Sequence, residues 1–227
     1  MRNSTFFSLC PPPGKLQQGF CFLAFQTLIL PSFLAFLPSS ISGGMVNFLY
    51  FLISFLMVTI LYRHYLLDTL KAAGKQLPGI ALWAVVFFIV LRLCDYLLKL
   101  LIQARFPDFY NLNDAAIGSL VRQDFWPMAI GTVVLAPVTE ELLHRTTLFR
   151  GLYSRSPAAA WIVSVLMFAL IHVMNYAGAD TLTLALCFAQ YLPAGICLAA
   201  AYRLSGSILT PILIHAGINT LGILALR

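Results

Sequence analysis

The sequence predicts an all-α polytopic membrane protein, a transmembrane helical bundle of about seven spans. Hydrophobic residues make up 60% of its 227 residues and charged residues only 10%, whereas an ordinary soluble domain is about 25% charged. The mean hydropathy is +0.89. The apolar residues form continuous runs and do not alternate with polar ones, which favours helices over the strands of a membrane barrel.

Seven apolar runs follow one another along the chain, each close to the roughly 20 residues that a helix needs to cross a bilayer. No internal repeat or low-complexity linker separates them. Residues 1–227 are therefore expected to form a single integral membrane domain, in which the polar stretch 102–124 is an extramembrane loop. The runs lie at about 18–38, 46–66, 79–101, 125–147, 158–176, 181–203 and 207–226.

The positive charges lie between the runs and indicate an orientation. They concentrate in the N-terminal segment and in every second loop, whereas the other loops are neutral or acidic. Because positive residues favour the cytoplasmic side, we expect a multi-pass protein of the cell membrane with its N-terminus in the cytoplasm and its C-terminus outside. The net charge of +6 then needs no nucleic-acid partner, and the lipid bilayer is the expected one. The positive residues of the N-terminal segment and of the second, fourth and sixth loops are Arg2, Lys15, Arg63, Lys71, Lys75, Arg150, Arg155 and Arg203.

Two glutamates, Glu140 and Glu141, stand side by side in the fourth apolar run. The fourteen positions before them, from Trp126 to Thr139, carry no charge. A carboxylate at membrane depth is costly unless it is paired or faces water, so such a residue indicates a functional site.

Helical spacing suggests different roles for the two glutamates. Residues four apart share a helix face, so Glu141 is expected to pair with Arg145 and Glu140 to stack with His144. The two glutamates point about 100° apart. In one arrangement Arg145 holds Glu141 while Glu140 faces a cavity, and in the alternative Glu140 and His144 form the reactive pair. The spacing leaves both arrangements open.

Two more polar clusters follow on later runs. In FALIH, Phe168 and His172 share a face, so the aromatic ring can shape a pocket around the imidazole. In HAGIN, His215 and Asn219 share a face, and both side chains can donate hydrogen bonds to a developing negative charge. Taken alone, each cluster is also compatible with hydrogen bonds that hold neighbouring helices together.

The three clusters together favour one buried polar site. A carboxylate with histidines can activate a water molecule as general base, and a pair of donors can stabilise an oxyanion, as peptide-bond hydrolysis requires. The expected depths of these residues in the bilayer argue against direct contact between them. With the boundaries above, Glu140 lies on the cytoplasmic side of its span's middle and His172 on the outer side of its own, an offset on the order of 10 Å.

In order and spacing the clusters resemble the CPBP family, which joins type II CAAX prenyl endopeptidases with bacteriocin-processing and Abi-like proteins. The resemblance covers about residues 120–226, the expected protease-like core, and does not extend to the N-terminal third. The family pattern E-E-x-x-x-R, F-x-x-x-H and H-x-x-x-N is present as Glu140, Glu141 and Arg145, then Phe168 and His172, then His215 and Asn219.

The resemblance implies an intramembrane endopeptidase. Glu140 with His172 would activate the water, and His215 with Asn219 would bind the oxyanion. Glu141, Arg145 and Phe168 would support these four residues. The family favours a glutamic mechanism without a cofactor. A zinc site formed by His172, His215 and Glu140, all of ordinary ligand type, is the metal-dependent alternative.

Two other functions are compatible with the sequence. A non-catalytic membrane scaffold or bacteriocin-immunity protein could use the same residues to hold the bundle together. A small transporter could use the glutamate pair as a proton relay, but no inverted repeat is detectable in the sequence, which argues against it. For the protease, the expected substrate is a peptide or a membrane protein.

Overall fold

The computed structural model describes residues 11–226, and within that range the chain forms helices and no strand. Arg2, part of the expected N-terminal charge, lies outside the described residues. The predicted all-α helical bundle is confirmed. The helices are α1 (13–34), α2 (Gly43–Leu61), α3 (Arg63–Arg105), α4 (Leu112–Gln123), α5 (125–153), α6 (Pro157–Ile171), α7 (Thr181–Ser205) and α8 (Leu209–Leu226).

Two helices, α1 and α5, contain wider π-helical turns. In α1 the turn is Phe25–Ile29, and in α5 the turns are Gly131–Leu135 and Leu142–Arg150. Such a turn shifts the main-chain hydrogen bonds by one residue and is frequent at functional sites. The second turn of α5 begins directly after the glutamate pair. The remaining, regular segments of these two helices are Pro13–Ala24, Leu30–Leu34, Phe125–Ile130, Ala136–Glu141 and Gly151–Tyr153.

Capping residues fix the ends of α6 and α7. The Ser156 hydroxyl accepts a hydrogen bond from the Ala159 backbone N–H at 3.2 Å, and the Asp180 carboxylate accepts one from the Thr183 N–H at 2.9 Å. Hydrogen bonds from the Thr183 side chain and backbone hold the pKa of the Asp180 carboxyl below its usual value. α7 ends at Gly206, whose φ of 70° lies in the left-handed region that favours glycine.

Each of the seven predicted runs coincides with a helix, namely α1, α2, α3, α5, α6, α7 and α8. Of these, α2, α3, α7 and α8 are long and apolar enough to cross a bilayer, and α6 is a shorter apolar helix of 15 residues. The protein is therefore a multi-pass membrane protein. The count of seven crossings stays a prediction.

The expected boundaries around the second loop were wrong. The chain turns at Tyr62, and α3 then continues for 43 residues through the predicted loop and through Pro78. The loop is helical because its leucines, lysines and alanines are strong helix formers. It also places Tyr65 and Thr69 on one face, where both are buried against the bundle.

The expected extramembrane loop at 102–124 also contains a helix, α4. The Asn111 side chain caps it by accepting hydrogen bonds from the Asn113 and Asp114 backbone N–H groups at 2.9 and 3.1 Å. An ion pair of 3.8 Å between Lys99 and Asp114 ties α4 to the end of α3. The loop thereby forms one end of the bundle.

The most enclosed part of the bundle is the second half of α5. All nine residues of Leu142–Arg150 are buried. α6 packs against this segment, α8 packs against the first half of α5, and α7 lies between α6 and α3. α6 and α7 approach closely at Gly195, where an added Cβ would lie 3.1 Å from the Val165 side chain.

Candidate active site

Glu141 forms a closed ion pair in the centre of the bundle. Its Oε2 accepts a hydrogen bond of 2.9 Å from Nε of Arg145, and both side chains are fully buried. Arg145 also donates from Nη1 to the Ser164 hydroxyl at 2.8 Å, and Ser164 donates to the His144 backbone oxygen at 3.0 Å. The predicted pairing of Glu141 with Arg145 is confirmed, and α6 takes part in it through Ser164.

The second carboxylate oxygen of Glu141 orients His215 on α8. His215 Nδ1 lies 2.9 Å from Oε1 of Glu141. Because Arg145 favours the ionised carboxylate, Nδ1 carries the proton and donates it. The other ring nitrogen, Nε2, is left to face the cavity. This arrangement links Arg145, Glu141 and His215 in one chain of hydrogen bonds.

Glu140 points away from that chain and faces two imidazoles. Its Oε2 lies 4.0 Å from Nε2 of His172 and 3.9 Å from Nε2 of His215. Oε2 is buried and has no hydrogen-bond partner among the described residues. The separations are too long for direct hydrogen bonds. They match two hydrogen bonds that meet at one water molecule between the groups.

Two contacts fix the orientation of the His172 ring. Its Nδ1 donates to the Phe168 backbone oxygen at 2.7 Å, and the ring stacks on Tyr191 of α7 at 4.2 Å. Because Nδ1 carries the proton, Nε2 is the acceptor that faces Glu140. The predicted shared face of Phe168 and His172 is confirmed by this local hydrogen bond.

The expected offset in depth between Glu140 and His172 was wrong. The helix of the fifth run ends at Ile171 and not at 176, so His172 lies directly after the last residue of a short helix. The helix of the glutamates continues to Tyr153 and not to 147, which places Glu140 near its middle. The 4.0 Å between Glu140 Oε2 and His172 Nε2 is not compatible with an offset on the order of 10 Å between the two side chains.

The alternative reactive pair, Glu140 with His144, is not formed. His144 Nδ1 donates to the backbone oxygen of Glu140 at 2.9 Å and not to the carboxylate. Its Nε2 is buried without a hydrogen-bond partner among the described residues. The ring packs edge-on against Phe168 with centroids 5.4 Å apart.

Phe168 lies at the centre of the site. Its ring centroid is 4.9 Å from that of His172 and 5.8 Å from that of His215. The guanidinium of Arg145 lies over the same ring at 5.0 Å, within the range of a cation–π contact. Phe168 therefore separates the buried ion pair from the cavity and fixes the positions of the histidines.

Asn219 reaches the other π-helical turn of α5. Its Nδ2 donates to the Thr132 backbone oxygen at 2.8 Å, inside the segment Gly131–Leu135. One amide hydrogen is used in this contact, and the amide also lines the cavity. His215 and Asn219 both face α5, as their spacing predicts.

A cavity of about 490 Å³ joins these residues to the end of the bundle where α4 lies. Glu140, His172, His215 and Asn219 line its inner part. The polar end is lined by residues of α3, α4 and α7, among them the Lys99–Asp114 ion pair. Burial raises the pKa of the Asp114 carboxyl. The candidate site is therefore a buried group of polar side chains at the inner end of a cavity, and the other end of this cavity, near α4, is also lined by polar residues.

Sequence reasoning missed Ser164 and Tyr191. Ser164 is a single hydroxyl in the apolar run of α6, one turn before Phe168, and that position could have revealed it. Tyr191 is anchored by Asn113, whose Nδ2 donates to its hydroxyl at 2.9 Å. No local signal connects Tyr191 to the motifs, because it lies on α7, which carries none of them.

The separations between the candidate zinc ligands are wider than those around a bound zinc ion. Tetrahedral zinc at about 2.0–2.2 Å from each ligand would place its ligand atoms about 3.4 Å apart. The Glu140 oxygen is 4.0 and 3.9 Å from the two histidine nitrogens. Within residues 11–226, no three His, Cys, Asp or Glu side chains are gathered as a metal site.

Comparisons with known proteins agree with the motifs. A family model described as type II CAAX prenyl endopeptidase Rce1-like matches residues 122–221. UPF0177 protein YbdJ of Lactococcus lactis subsp. lactis (strain IL1403) is 32% identical over 99 residues, which cover 43% of this chain. The match spans only 38% of that relative's length. No solved structure matches the chain. Residues 122–221, which contain the three motifs, are therefore similar to the type II CAAX prenyl endopeptidases, in agreement with the predicted resemblance to the CPBP family.

Proposed function

We propose that the protein is an intramembrane endopeptidase in which Glu140 activates the hydrolytic water. One observation carries the proposal: the buried Oε2 of Glu140 lies within 4.0 Å of Nε2 of both His172 and His215. The neutral ring of His172 presents an acceptor nitrogen to this point, and His215 faces the same point as a protonated ring whose Nε2 is a donor. A water molecule there can donate one hydrogen to the carboxylate and the other to an imidazole, which leaves a lone pair free for attack.

The residues support a complete hydrolytic sequence. The water transfers a proton to Glu140 while its oxygen attacks the carbonyl carbon of the scissile bond. The carbonyl electron pair moves to oxygen, where Asn219 and His215 stabilise the negative charge. When the intermediate collapses, the C–N bond breaks and the proton held by Glu140 passes to the leaving nitrogen.

His215 depends on Glu141 for its part in this sequence. As a neutral ring with its proton on Nδ1, His215 presents only an acceptor to the site. The negative charge of Glu141, 2.9 Å from Nδ1, stabilises the protonated ring, in which Nε2 also becomes a donor. Glu141 thus orients and assists a histidine as the buried carboxylate of a catalytic triad does.

The experiment that tests the function compares cells with equal membrane amounts of the wild-type protein and of Glu140→Gln. The glutamine keeps the shape but cannot accept a proton. We expect a defined set of new protein N-termini with the wild type and their loss with the variant, as mapped by N-terminal proteomics. Identical N-termini in both strains would contradict proteolysis and favour the non-catalytic scaffold.

Metal removal separates the glutamic from the metal-dependent mechanism. We propose that no metal takes part, so cleavage by the purified protein should stay within about twofold after treatment with a strong zinc chelator. The measurement is the cleavage rate before and after dialysis against the chelator. Loss of activity that zinc restores would show that His172, His215 and Glu140 hold a metal.

We also propose that the cavity opens to the outer face of the membrane. Its polar end, at α4, lies opposite the positively charged loop that contains Arg155, which the positive-inside rule places in the cytoplasm. In a cysteine-free background, an impermeant maleimide should label Asp108→Cys but not Arg155→Cys in intact cells. The reverse pattern would overturn this orientation.

A further inference from the structure

The cavity wall that faces the glutamate helix comes from outside the family-matched region. Gln26 of α1 and Asn47 and Tyr50 of α2 line the same cavity as Glu140. They precede residues 122–221, the part that matches the family. None of the three has a role in the proposed hydrolysis. We define these side chains as the amide wall.

The amide wall contains acceptors without partners. Gln26 is only 5% exposed, and its Oε1 has no hydrogen-bond partner among the described residues. The Asn47 Oδ1 is likewise buried and unpartnered among them. A buried polar group without a partner is destabilising, most of all where water is scarce. Two such carbonyl oxygens in one cavity are available to accept hydrogen bonds from a ligand.

The wall is close to the reacting group. α2 packs along the part of α5 that carries Glu140. Gln26, Tyr50 and Glu140 line the same cavity. A ligand that contacts Gln26 and Tyr50 would therefore lie beside the catalytic carboxylate.

We propose that the amide wall binds the main chain of an extended substrate peptide next to the scissile bond. The oxygens of Gln26 and Asn47 accept hydrogen bonds from substrate N–H groups, and the Tyr50 hydroxyl can donate to a substrate carbonyl. Carboxamides match peptide groups in polarity and carry no charge, so they suit a main chain and not a charged side chain. This inference rests on the proposed endopeptidase function.

The same argument defines the substrate class. A helical substrate already uses its main-chain groups within the helix, so it cannot satisfy these oxygens. An apolar isoprenoid chain offers no donor and would leave them unpaired. The substrate segment is therefore extended at the site, in the way that peptides bind through their main chain to an exposed strand edge.

A binding experiment tests the wall without cleavage. The probe is a fluorescein-labelled octapeptide of alternating alanine and serine, added to the Glu140→Gln protein in nanodiscs and followed by fluorescence anisotropy. N-methylation at alternate amides removes donors from the probe. We expect about tenfold weaker binding of the methylated probe, and weakening of the unmethylated probe by a similar factor when Gln26→Met is added.

Coupling between probe and protein distinguishes direct contact from an indirect effect. In the Gln26→Met protein, N-methylation of the probe should weaken binding by at most about twofold, because the hydrogen bond between Gln26 and the probe is already lost. The exposed Gln17 on the same helix provides the matched control, and Gln17→Met should bind both probes like the parent. Equal binding of the unmethylated probe to Gln26→Met and its parent would overturn the inference, as would displacement of the probe by farnesol in preference to a second peptide.

Thermal unfolding excludes a merely structural role. Because Gln26 Oε1 has no hydrogen-bond partner within residues 11–226, Gln26→Met should leave the Tm unchanged or raise it, as expected for a group retained for binding. A Tm lowered by several degrees would identify Gln26 as structural and overturn the inference. The two proposals fail in different ways. Binding that depends on Gln26 without cleavage that depends on Glu140 would contradict only the endopeptidase function. Cleavage without binding that depends on Gln26 would contradict only the peptide-binding role of the amide wall.

Discussion

Glu140→Gln and His172→Gln should each lower the cleavage rate by about 10³-fold or more, and the double variant should lose little beyond either single change. Glu140 and His172 face the same point from two helices, with Oε2 and Nε2 4.0 Å apart. Because they act on one water molecule, removing either group removes the shared function. The measurement is the rate with a peptide that the wild type cleaves, compared across the three variants.

His64 provides the matched control for this prediction. It is an exposed histidine at the start of α3, near Arg63 and outside the cavity. His64→Gln should keep the wild-type rate. All four proteins must unfold at the same temperature, so that a lower cleavage rate reflects the loss of a catalytic group and not a loss of folded protein. Losses that multiply in the double variant would indicate that Glu140 and His172 contribute independently, contrary to the proposed mechanism.

Arg145→Met should cause the largest loss of stability of any single substitution in the site, about 3–5 kcal/mol in the free energy of unfolding. Arg145 is fully buried, and its removal leaves the buried Glu141 charge without its 2.9 Å partner. It also removes the hydrogen bond to Ser164 that ties α5 to α6. The measurement is unfolding in detergent, together with the amount of protein in the membrane.

Two variants control the stability prediction. Arg155 is an exposed arginine in the turn between α5 and α6. Arg155→Met should change the free energy of unfolding by no more than about 0.5 kcal/mol. Glu141→Gln combined with Arg145→Met should recover part of the loss, because no unpaired charge stays buried. If Arg145→Met unfolds like the wild type, the buried ion pair does not hold the bundle together.

Contacts within one helix could be predicted from the sequence. Glu141 pairs with Arg145, and His172 bonds the carbonyl of Phe168, four residues away in each case. These pairs follow from the pitch of the helix alone, because residues four apart always share a face. His144 shows the limit of this reasoning. It shares the face of Glu140 but bonds its backbone oxygen, and spacing does not distinguish a carbonyl from a carboxylate.

Helix ends were predicted less well, and with them the depth of each residue. His172 closes α6 at a point where hydropathy alone would continue the span to 176. The π-helical turns of α5 were not predicted either, although one of them contains the Thr132 carbonyl that Asn219 binds. Apolar side chains favour a helix in lipid whatever its exact end or hydrogen-bond register. Their pattern therefore carries little information about either.

Composition and periodicity were sufficient to identify an all-α membrane bundle, the motif residues and the pairing of Glu141 with Arg145, because these depend on solvation and on neighbours within one helix. Helix packing decided that Glu141 also holds His215, that Glu140 faces two imidazoles, and that Gln26 enters the same cavity. These contacts join residues far apart in the chain. Their distances depend on how helices tilt, end and pack against one another, which local sequence patterns do not encode.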